Sequence, residues 1–187
     1  MSEVAELVRA AAEGDPAAWN GLVDRYNGLV WSVARSHRLA TADASDVVQT
    51  TWLRLVENLG RLQDPERVGA WLATTARRES LRTLRHTARQ VPTEELPDEG
   101  VDAQLDAALL VAERDRALWQ AFGGLSDRCQ ALLRILVADP PPSYEEIGAA
   151  LDMPIGSIGP TRQRCLERLR GLAEGAGVTA TDRREVE

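Results

Sequence analysis

Four arginines recur at spacings of four, three and four residues, which puts their side chains on one face of a helix. They are Arg78, Arg82, Arg85 and Arg89, and Arg77 lies beside them. Glu79 is the only acid in this stretch, whereas a solvated helix usually alternates Glu with Arg. A guanidinium group stays charged and can bond two phosphate oxygens at once. The pattern therefore indicates a polyanion-binding surface; the alternative is a plain solvated face.

A second polar face is predicted near the C-terminal end of the chain. It consists of Ser157, Thr161, Arg164 and Arg168. The preceding Ser143–Glu146 stretch is a capping box that opens a short helix, and a turn at residues 152–156 follows it. Because proline is tolerated only in the first turn of a helix, Pro160 predicts that the last helix begins near Ser157, with Ser157 as its cap. Short helix, turn and longer helix form a helix-turn-helix pattern; the alternative is a plain helical hairpin with an Arg-rich exterior.

A third stretch, Asp46–Leu55, alternates polar and apolar positions at helical spacing. On pattern alone it predicts an amphipathic helix, which packs on a core more often than it forms a docking surface. The acids near its start also suit the positive end of the helix dipole, which is a purely structural role.

The elements that position these side chains are helices. Asp15-Pro16 and Asp64-Pro65 are helix-start signals, and a further helix is predicted from about Ala44 to Leu59. Alternating strand patterns are absent, so we predict an all-α fold with two small helical domains. The expected division is a bundle at 1–90, a linker at 91–115, a helix-turn-helix domain at 116–172 and a flexible tail at 173–187. A short helix is expected to begin in the linker near Asp102.

The charge is unevenly distributed along the 187 residues. The formal net charge is −7, which taken alone argues against a nucleic-acid partner. All 22 basic residues are Arg, and residues 91–115 hold one Arg and eight acids. That segment alone therefore carries a charge equal to the total, and both predicted binding units are close to neutral.

Several classes of function are disfavoured. No apolar run is long enough to span a membrane, and the N-terminal residues lack the features of an export signal, so we expect a cytoplasmic protein without membrane insertion. Cys129 and Cys165 are expected to be reduced, buried thiols, with a redox pair as the minority alternative. His37 and His86 are expected at the surface. Since no catalytic set has interpretable spacing, we expect no enzyme, no catalytic residue, no metal and no cofactor.

The ordered combination of these stretches resembles the extracytoplasmic-function class of bacterial RNA polymerase sigma factors. The resemblance covers DVVQTTWLRLVENL and WLATTARRESLRTLR in the first domain, the acidic linker, and SYEEIGAALDMPIGSIGPTRQRCLERLR in the second. It spans about residues 4–90, as region 2, and 116–172, as region 4. It implies a non-enzymatic subunit that binds core polymerase, reads −35 and −10 promoter elements and helps to melt the −10 region.

The resemblance also implies site residues. The helix docking on the clamp helices of the polymerase β′ subunit would use Asp46, Gln49, Thr50, Leu53 and Arg54. The −10 element would be bound by Trp71, Arg77, Arg78, Arg82, Arg85 and Arg89. The −35 element would be read by Ser157, Pro160, Thr161, Gln163, Arg164 and Arg168. The β flap of the polymerase and an anti-sigma factor are further implied partners.

The sequence departs from the family pattern in three places. A Gln-Glu pair is common where this chain has Gln49-Thr50, a basic Lys/Arg-Ser-Arg run is common where it has Gly159-Pro160-Thr161, and an Asn-like residue is common where it has Arg78. Two other functions stay open. A stand-alone helix-turn-helix regulator would explain the C-terminal unit but leaves the first 90 residues without a role, and an adaptor would use the bundle face alone.

Overall fold

The computed structural model describes residues 2–87 and 107–178, the side chains of 107–114 excepted. The α-helices within these ranges are α1 Glu3–Ala12, α2 Pro16–Ser36, α3 Thr41–Asn58, α4 Val68–Thr87, α5 Ala107–Gly123, α6 Asp127–Leu136, α7 Tyr144–Leu151 and α8 Ile155–Gly175. Two 3-10 turns, Leu59–Arg61 and Pro65–Arg67, lie between α3 and α4. No strand occurs in the described ranges, which confirms the predicted all-α fold. None of the helices described there is long and apolar enough to cross a membrane.

The local start signals act as the sequence predicts. Asp15 Oδ1 accepts a hydrogen bond from the Ala17 amide at 2.9 Å, and Pro16 is the first residue of α2. At α7 both bonds of the capping box are made. Ser143 Oγ accepts from the Glu146 amide at 3.3 Å, and Glu146 Oε2 accepts from the Ser143 amide at 2.7 Å. Caps of this kind stabilise a helix by about 1 kcal/mol each.

Two helix starts differ from expectation. The predicted cap at Ser157 is wrong, because α8 begins at Ile155 and the Ser157 hydroxyl donates to the Pro154 carbonyl at 2.7 Å. Pro160 is therefore the sixth residue of the helix and has no N–H to give to the carbonyl of Gly156. The helix predicted to start at Asp64-Pro65 also begins later. A 3-10 turn, Pro65–Arg67, comes first, and α4 starts at Val68.

The chain divides into two compact units, Met1–Glu95 with Ala131–Ile158, and Leu96–Gln130 with Gly159–Glu187. The core of the first unit is built from the apolar positions that repeat every three or four residues. Its completely buried side chains include Leu22, Val30, Val33, Leu55, Val68 and Leu72. Burying one such leucine contributes about 1.5–3 kcal/mol, so these positions hold the bundle together. The expected helix start near Asp102, most of the linker and residues 179–187 of the tail lie outside the described residues.

Two glycines let α2 and α4 approach the 139–146 segment within the first unit. A Cβ added to Gly28 would collide with the carbonyl oxygen of Asp139, and one added to Gly69 would collide with the Glu146 carboxylate and the Tyr26 ring. Two ion pairs also link this part of the unit: Arg67, just before α4, pairs with Glu145 of α7, and Arg77 of α4 pairs with Asp152 after α7. Burial and the nearby Glu146 carboxylate raise the pKa of Tyr26.

The second unit is held by a polar anchor and a covalent bond. The buried side-chain amide of Gln130 donates to the carbonyls of Gly123 and Leu125, at 3.1 and 2.9 Å. Cys129 of α6 and Cys165 of α8 form a disulfide with a Cα–Cα distance of 5.4 Å. The expectation of two reduced thiols is therefore wrong for this structure. Closing a loop with a sequence separation of 36 residues stabilises a fold by about 2–4 kcal/mol.

The two histidines differ in environment. His86 is exposed, as expected, but His37 is half-buried, and its Nε2 atom is buried without a hydrogen-bond partner among the described residues. Burial, together with the positive charge of Arg77, lowers the pKa of His37 below its ordinary value. The expectation of a surface residue is wrong for His37.

The close contact at Gly28 can be tested by substitution. Gly28→Ala places a methyl group against a backbone carbonyl that cannot rotate away, so we expect a loss of about 1–3 kcal/mol in the free energy of unfolding. Urea denaturation measures the loss. Gly156→Ala is the matched control, because a Cβ there meets open space. Equal stability of the two variants would contradict the described contact.

The buried His37 predicts a pH dependence. Because its pKa is lowered in the folded state, the unfolded chain binds the proton more readily, and stability falls as the pH drops below about 6.5. The slope contributed by one such group is at most about 1.4 kcal/mol per pH unit. We expect His37→Gln to flatten the fall in urea midpoint between pH 7.5 and 5.5, and the exposed His86→Gln control to leave it unchanged. Identical slopes for wild type and His37→Gln would refute the assignment.

Candidate nucleic-acid interface

The α4 helix presents most of the predicted arginine face to solvent. Arg78, Arg82 and Arg85 are exposed, while Ala76 and Ser80 on the opposite face are buried. The Arg85 Nε atom donates to the Leu81 carbonyl at 3.1 Å, which directs its side chain along the helix. The three arginines lie on one helix face, as predicted. Arg89 lies outside the described residues.

Arg77 and Trp71 lie in less open positions. The Arg77 side chain is 25% exposed, and its Nη2 atom is 2.7 Å from Asp152 Oδ2 in the turn after α7. Trp71 is half-buried, and its carbonyl accepts a hydrogen bond from the Thr75 hydroxyl at 2.8 Å. In this conformation Arg77 is already paired with an acid, so a phosphate would have to replace Asp152.

Glu79, the lone acid of the arginine stretch, has a structural partner. Its Oε1 atom accepts a hydrogen bond from Arg54 Nε at 2.7 Å, and its Oε2 atom lies 3.7 Å from Arg82 Nη1. The Glu79 side chain is 14% exposed and the Arg54 side chain 40%, so the contact is part-buried at the edge of the bundle. Arg54 therefore links α3 to α4, a role that the sequence pattern did not indicate.

The α3 helix carries an exposed stripe of mixed polarity. Asp46, Gln49 and Leu53 are exposed and Thr50 is half-buried. Leu53 is 59% exposed, and Val56, one turn further along, is 56% exposed. Sequence reasoning missed Val56, although its position three residues after Leu53 puts it on the same face. Exposed apolar side chains at helical spacing indicate a protein-binding surface.

A cavity of about 410 Å³ continues this stripe at the end of α3. Its lining includes Val56, Leu59 and Trp19. The Trp19 ring packs edge to face on Trp52 at 5.8 Å, and Trp52 Nε1 donates to the Asn27 side chain at 3.3 Å. The indole rings therefore form a fixed apolar wall beside the α3 stripe.

The α8 helix separates a polar face from an apolar one, as the sequence predicts. Ile158 and Cys165 are buried. Among the predicted recognition residues, the exposed ones are Pro160, Gln163, Arg164 and Arg168, and the half-buried ones are Ser157 and Thr161. Arg162 and Arg170 are also exposed, and the prediction did not include them. The helix thus presents four guanidinium groups to solvent.

Local hydrogen bonds orient part of this surface. Arg164 donates to the Thr161 hydroxyl at 3.3 Å and to the Pro160 carbonyl at 3.4 Å. Gln163 donates to the Glu167 carboxylate at 2.9 Å.

An exposed aromatic side chain marks α5. Trp119 is 62% exposed and packs edge to face on Phe122 at 5.8 Å, and Leu118 beside it is 42% exposed. No group of three or more metal-ligating side chains converges within the described parts of the chain. The described surfaces therefore offer charge and apolar contact area, which suit binding to phosphates and to protein.

Comparisons with known proteins agree with this reading. Residues 22–90, which contain most of α2 and all of α3 and α4, match the sigma-70 region 2 family model. Sigma factors are non-enzymatic transcription initiation factors, in agreement with the expectation that the chain is not an enzyme.

One solved structure has a similar fold over most of the chain. It is the structure of CnrH in complex with the cytosolic domain of CnrY, with a TM-score of 0.60, 22% sequence identity, and coverage of 93% of this chain and 99% of that chain. No curated protein matches the sequence. The sigma-70 region 2 match thus falls on the part of the chain that carries both the α3 stripe and the α4 arginine face.

Proposed function

We propose that the chain is an RNA polymerase sigma factor of the extracytoplasmic-function class. It binds core polymerase, recognises the −35 and −10 elements of promoter DNA and helps to melt the −10 region. The observation that carries the proposal is the region 2 match over residues 22–90, within which α3 offers a protein-binding stripe and α4 an arginine face. Together the two surfaces fit a subunit that joins a protein to DNA.

Core polymerase binds to the α3 stripe in this proposal. The β′ clamp helices contact Asp46, Gln49, Thr50 and Leu53, and Val56 extends the apolar part of the contact. Leu53 and Val56 are each more than half exposed, and covering them on binding gives a favourable hydrophobic contribution. Arg54 acts indirectly, since its bond to Glu79 holds α3 against α4.

The −10 element binds along α4. Arg78, Arg82 and Arg85 contact phosphates, with Arg89 continuing the same spacing, and Trp71 offers an aromatic face to an unstacked base. Melting is then differential binding, because a single strand with a flipped base is held better than the duplex. Arg77 joins this surface only when Asp152 leaves it, so DNA binding at α4 opposes the contact between α4 and the turn after α7.

The −35 element is read by α7 and α8 as a helix-turn-helix. The α8 helix enters the major groove, where Arg164 and Arg168 contact guanine edges or phosphates. Nearby contacts come from Ser157, Pro160, Thr161 and Gln163. The domain at 116–172 also binds the polymerase β flap, and the exposed Trp119 and Leu118 supply apolar area for a protein partner.

The remaining parts of the chain complete the assignment. The domain at 1–90 is region 2, and the linker at 91–115 lies near the polymerase active site with its eight acids. The tail at 173–187 has no assigned contact. The protein works in the cytoplasm, and an anti-sigma factor covers both domains when the factor is inactive.

A stand-alone helix-turn-helix regulator is the second candidate. The succession of short α7, turn and longer α8 favours it. It would bind operator duplex without polymerase, and it assigns no role to the α3 stripe. The two candidates therefore differ in whether core polymerase is needed.

Reconstitution with core polymerase tests the proposal through Leu53. We expect the purified chain with core enzyme to give promoter-dependent transcripts. We expect Leu53→Asp to weaken core binding about tenfold, because it places a charge in an apolar contact. Fluorescence anisotropy with labelled protein measures the affinity. Leu81→Asp is the control, since it makes the same change at an exposed position of α4. Without core binding and transcripts the sigma assignment fails, and duplex binding that needs no polymerase would favour the regulator.

The arginine face predicts a separate effect on melting. We expect Arg82→Ala/Arg85→Ala to reduce open-complex formation, measured by permanganate reactivity of −10 thymines, and to leave core binding unchanged. The slope of the logarithm of the promoter-binding constant against the logarithm of the salt concentration should become shallower by about 0.7–0.9 for each lost phosphate contact. Arg61→Ala, at an exposed position outside α4, is the control. Unchanged melting in the double variant would remove the α4 face from the mechanism.

A further inference from the structure

The disulfide between Cys129 and Cys165 has chemistry that the proposed function does not use. It joins the third residue of α6 to the eleventh residue of α8. Cys165 is 1% exposed, but Cys129 is partly exposed. One cysteine of the pair is therefore partly open to solvent, while the other is shielded.

The position of Cys129 favours thiol chemistry. Its amide donates to the Ser126 hydroxyl at 3.4 Å, so the residue lies in the first turn of α6, where the helix dipole favours a negatively charged sulfur. The thiolate is the nucleophile in thiol oxidation and disulfide exchange.

A reducing environment disfavours a permanent disulfide between Cys129 and Cys165. A protein that works on core polymerase meets reduced thiols at high concentration, and disulfides in that environment are usually transient and redox-sensing. The same two cysteines nevertheless lie at bonding distance, with a Cα–Cα separation inside the normal disulfide range. Two cysteines that lie at bonding distance, one of them partly exposed to solvent, are suited to reversible oxidation.

We propose that Cys129 and Cys165 are a reversible redox-modification site, oxidised by hydroperoxides and reduced by cellular thiols, that fixes α8 for DNA recognition. The DNA part of this proposal and the argument from a reducing environment rest on the proposed function, whereas the geometry of the cysteine pair does not. The Cys129 thiolate attacks a peroxide oxygen, the O–O bond breaks, and with one proton taken up the products are a sulfenic acid and water. The Cys165 thiol then attacks the sulfenic sulfur, an S–S bond forms and a second water leaves.

The reverse step balances in the same way. Two external thiols reduce the bond through a mixed disulfide at Cys129, which releases Cys165 as a thiol and leaves the external pair oxidised. Attack on Cys129 is favoured because Cys165 is buried. The cycle consumes one peroxide and two thiols and needs no metal or cofactor.

The bond acts on α8 through a rigid anchor. Gln130, next to Cys129, is 4% exposed and its two bonds to the Gly123 and Leu125 carbonyls hold the start of α6 on the end of α5. Leu172 packs close to Gly124 at the same turn. In the oxidised state α8 is therefore attached to this turn by a covalent bond as well as by apolar packing, and reduction leaves the packing alone.

The attachment point lies on the same segment of α8 as the proposed recognition residues, but on its buried side. Cys165 directly follows Arg164 and precedes Arg168 by three residues, and it points to the opposite, buried side of the helix. Fixing that side holds the exposed arginines in one orientation, and a preorganised surface loses less conformational entropy on binding. We therefore expect the oxidised protein to bind duplex −35 DNA about three- to tenfold more tightly than the reduced protein.

Oxidation state is measured first, on the full chain. The protein is incubated with glutathione buffers of varied oxidised-to-reduced ratio, or with hydrogen peroxide, then alkylated and weighed by intact mass spectrometry. We expect two alkylated cysteines after reduction, none after peroxide, and a transition within the range of the glutathione buffers. A bond that forms without oxidant and resists every buffer would be a permanent structural disulfide, and a chain that keeps two free thiols after peroxide would have no pair; either result overturns the proposal.

The effect on α8 is measured next. Hydrogen exchange of α8 and binding to a −35 duplex are compared for oxidised and reduced wild type, and for Cys129→Ser, which leaves the buried Cys165 in place. Slower exchange and tighter binding in the oxidised wild type, with Cys129→Ser equal to the reduced protein under both conditions, support the proposal. Identical exchange in both states overturns it, and so does equal or weaker DNA binding by the oxidised form. Redox-dependent exchange with no DNA binding in either state would instead contradict the proposed function and the DNA part of this proposal, while the redox site itself would stand.

Discussion

The bond between Arg54 and Glu79 is the interaction on which both candidate surfaces of the bundle depend. It joins α3 to α4 at 2.7 Å, and since the Glu79 side chain is 14% exposed and the Arg54 side chain 40%, the pair is screened less than a fully exposed ion pair. The α3 stripe and the α4 arginine face have useful positions only if the two helices keep a fixed register. Removing either partner would leave the other charge half-buried and unpaired, which costs more than the pair itself contributes. Arg54, which the sequence predicts to contact core polymerase, is thus part of the framework that holds α3 and α4 together.

Acids compete with possible anionic partners for the arginines of this chain. The net charge of −7 is concentrated in residues 91–115, while Glu145 of α7 pairs with Arg67, just before α4, and Asp152 after α7 pairs with Arg77 in the middle of α4. An intramolecular carboxylate and a phosphate need the same guanidinium geometry, so Asp152 and a DNA backbone compete for Arg77 in the proposed function. The overall charge therefore says little about partners, whereas the position of each acid does.

Sequence reasoning succeeded where the determinant is local and failed where it is tertiary. The Asp15-Pro16 start and the Ser143 capping box depend on residues at most three apart, and both are confirmed. The exposed arginine face of α4 follows from helical spacing alone. By contrast, the disulfide joins residues separated by 36 positions, and the Gly28 contact depends on a carbonyl of Asp139. The partial burial of His37 has the same origin, since no local pattern indicates it.

The contact between α4 and α7 is specified mainly by shape. Its ion pairs are partly exposed, and exposed pairs contribute at most about 1 kcal/mol each. Gly69 of α4 instead permits the Glu146 carboxylate of α7 to approach where an added Cβ would collide with it. Salt screens the ion pairs but leaves this packing intact, so charge competition alone does not separate the segments. In the proposed function, a partner that takes Arg77 must also offset the lost packing, and the binding energy of core polymerase together with DNA is the available source.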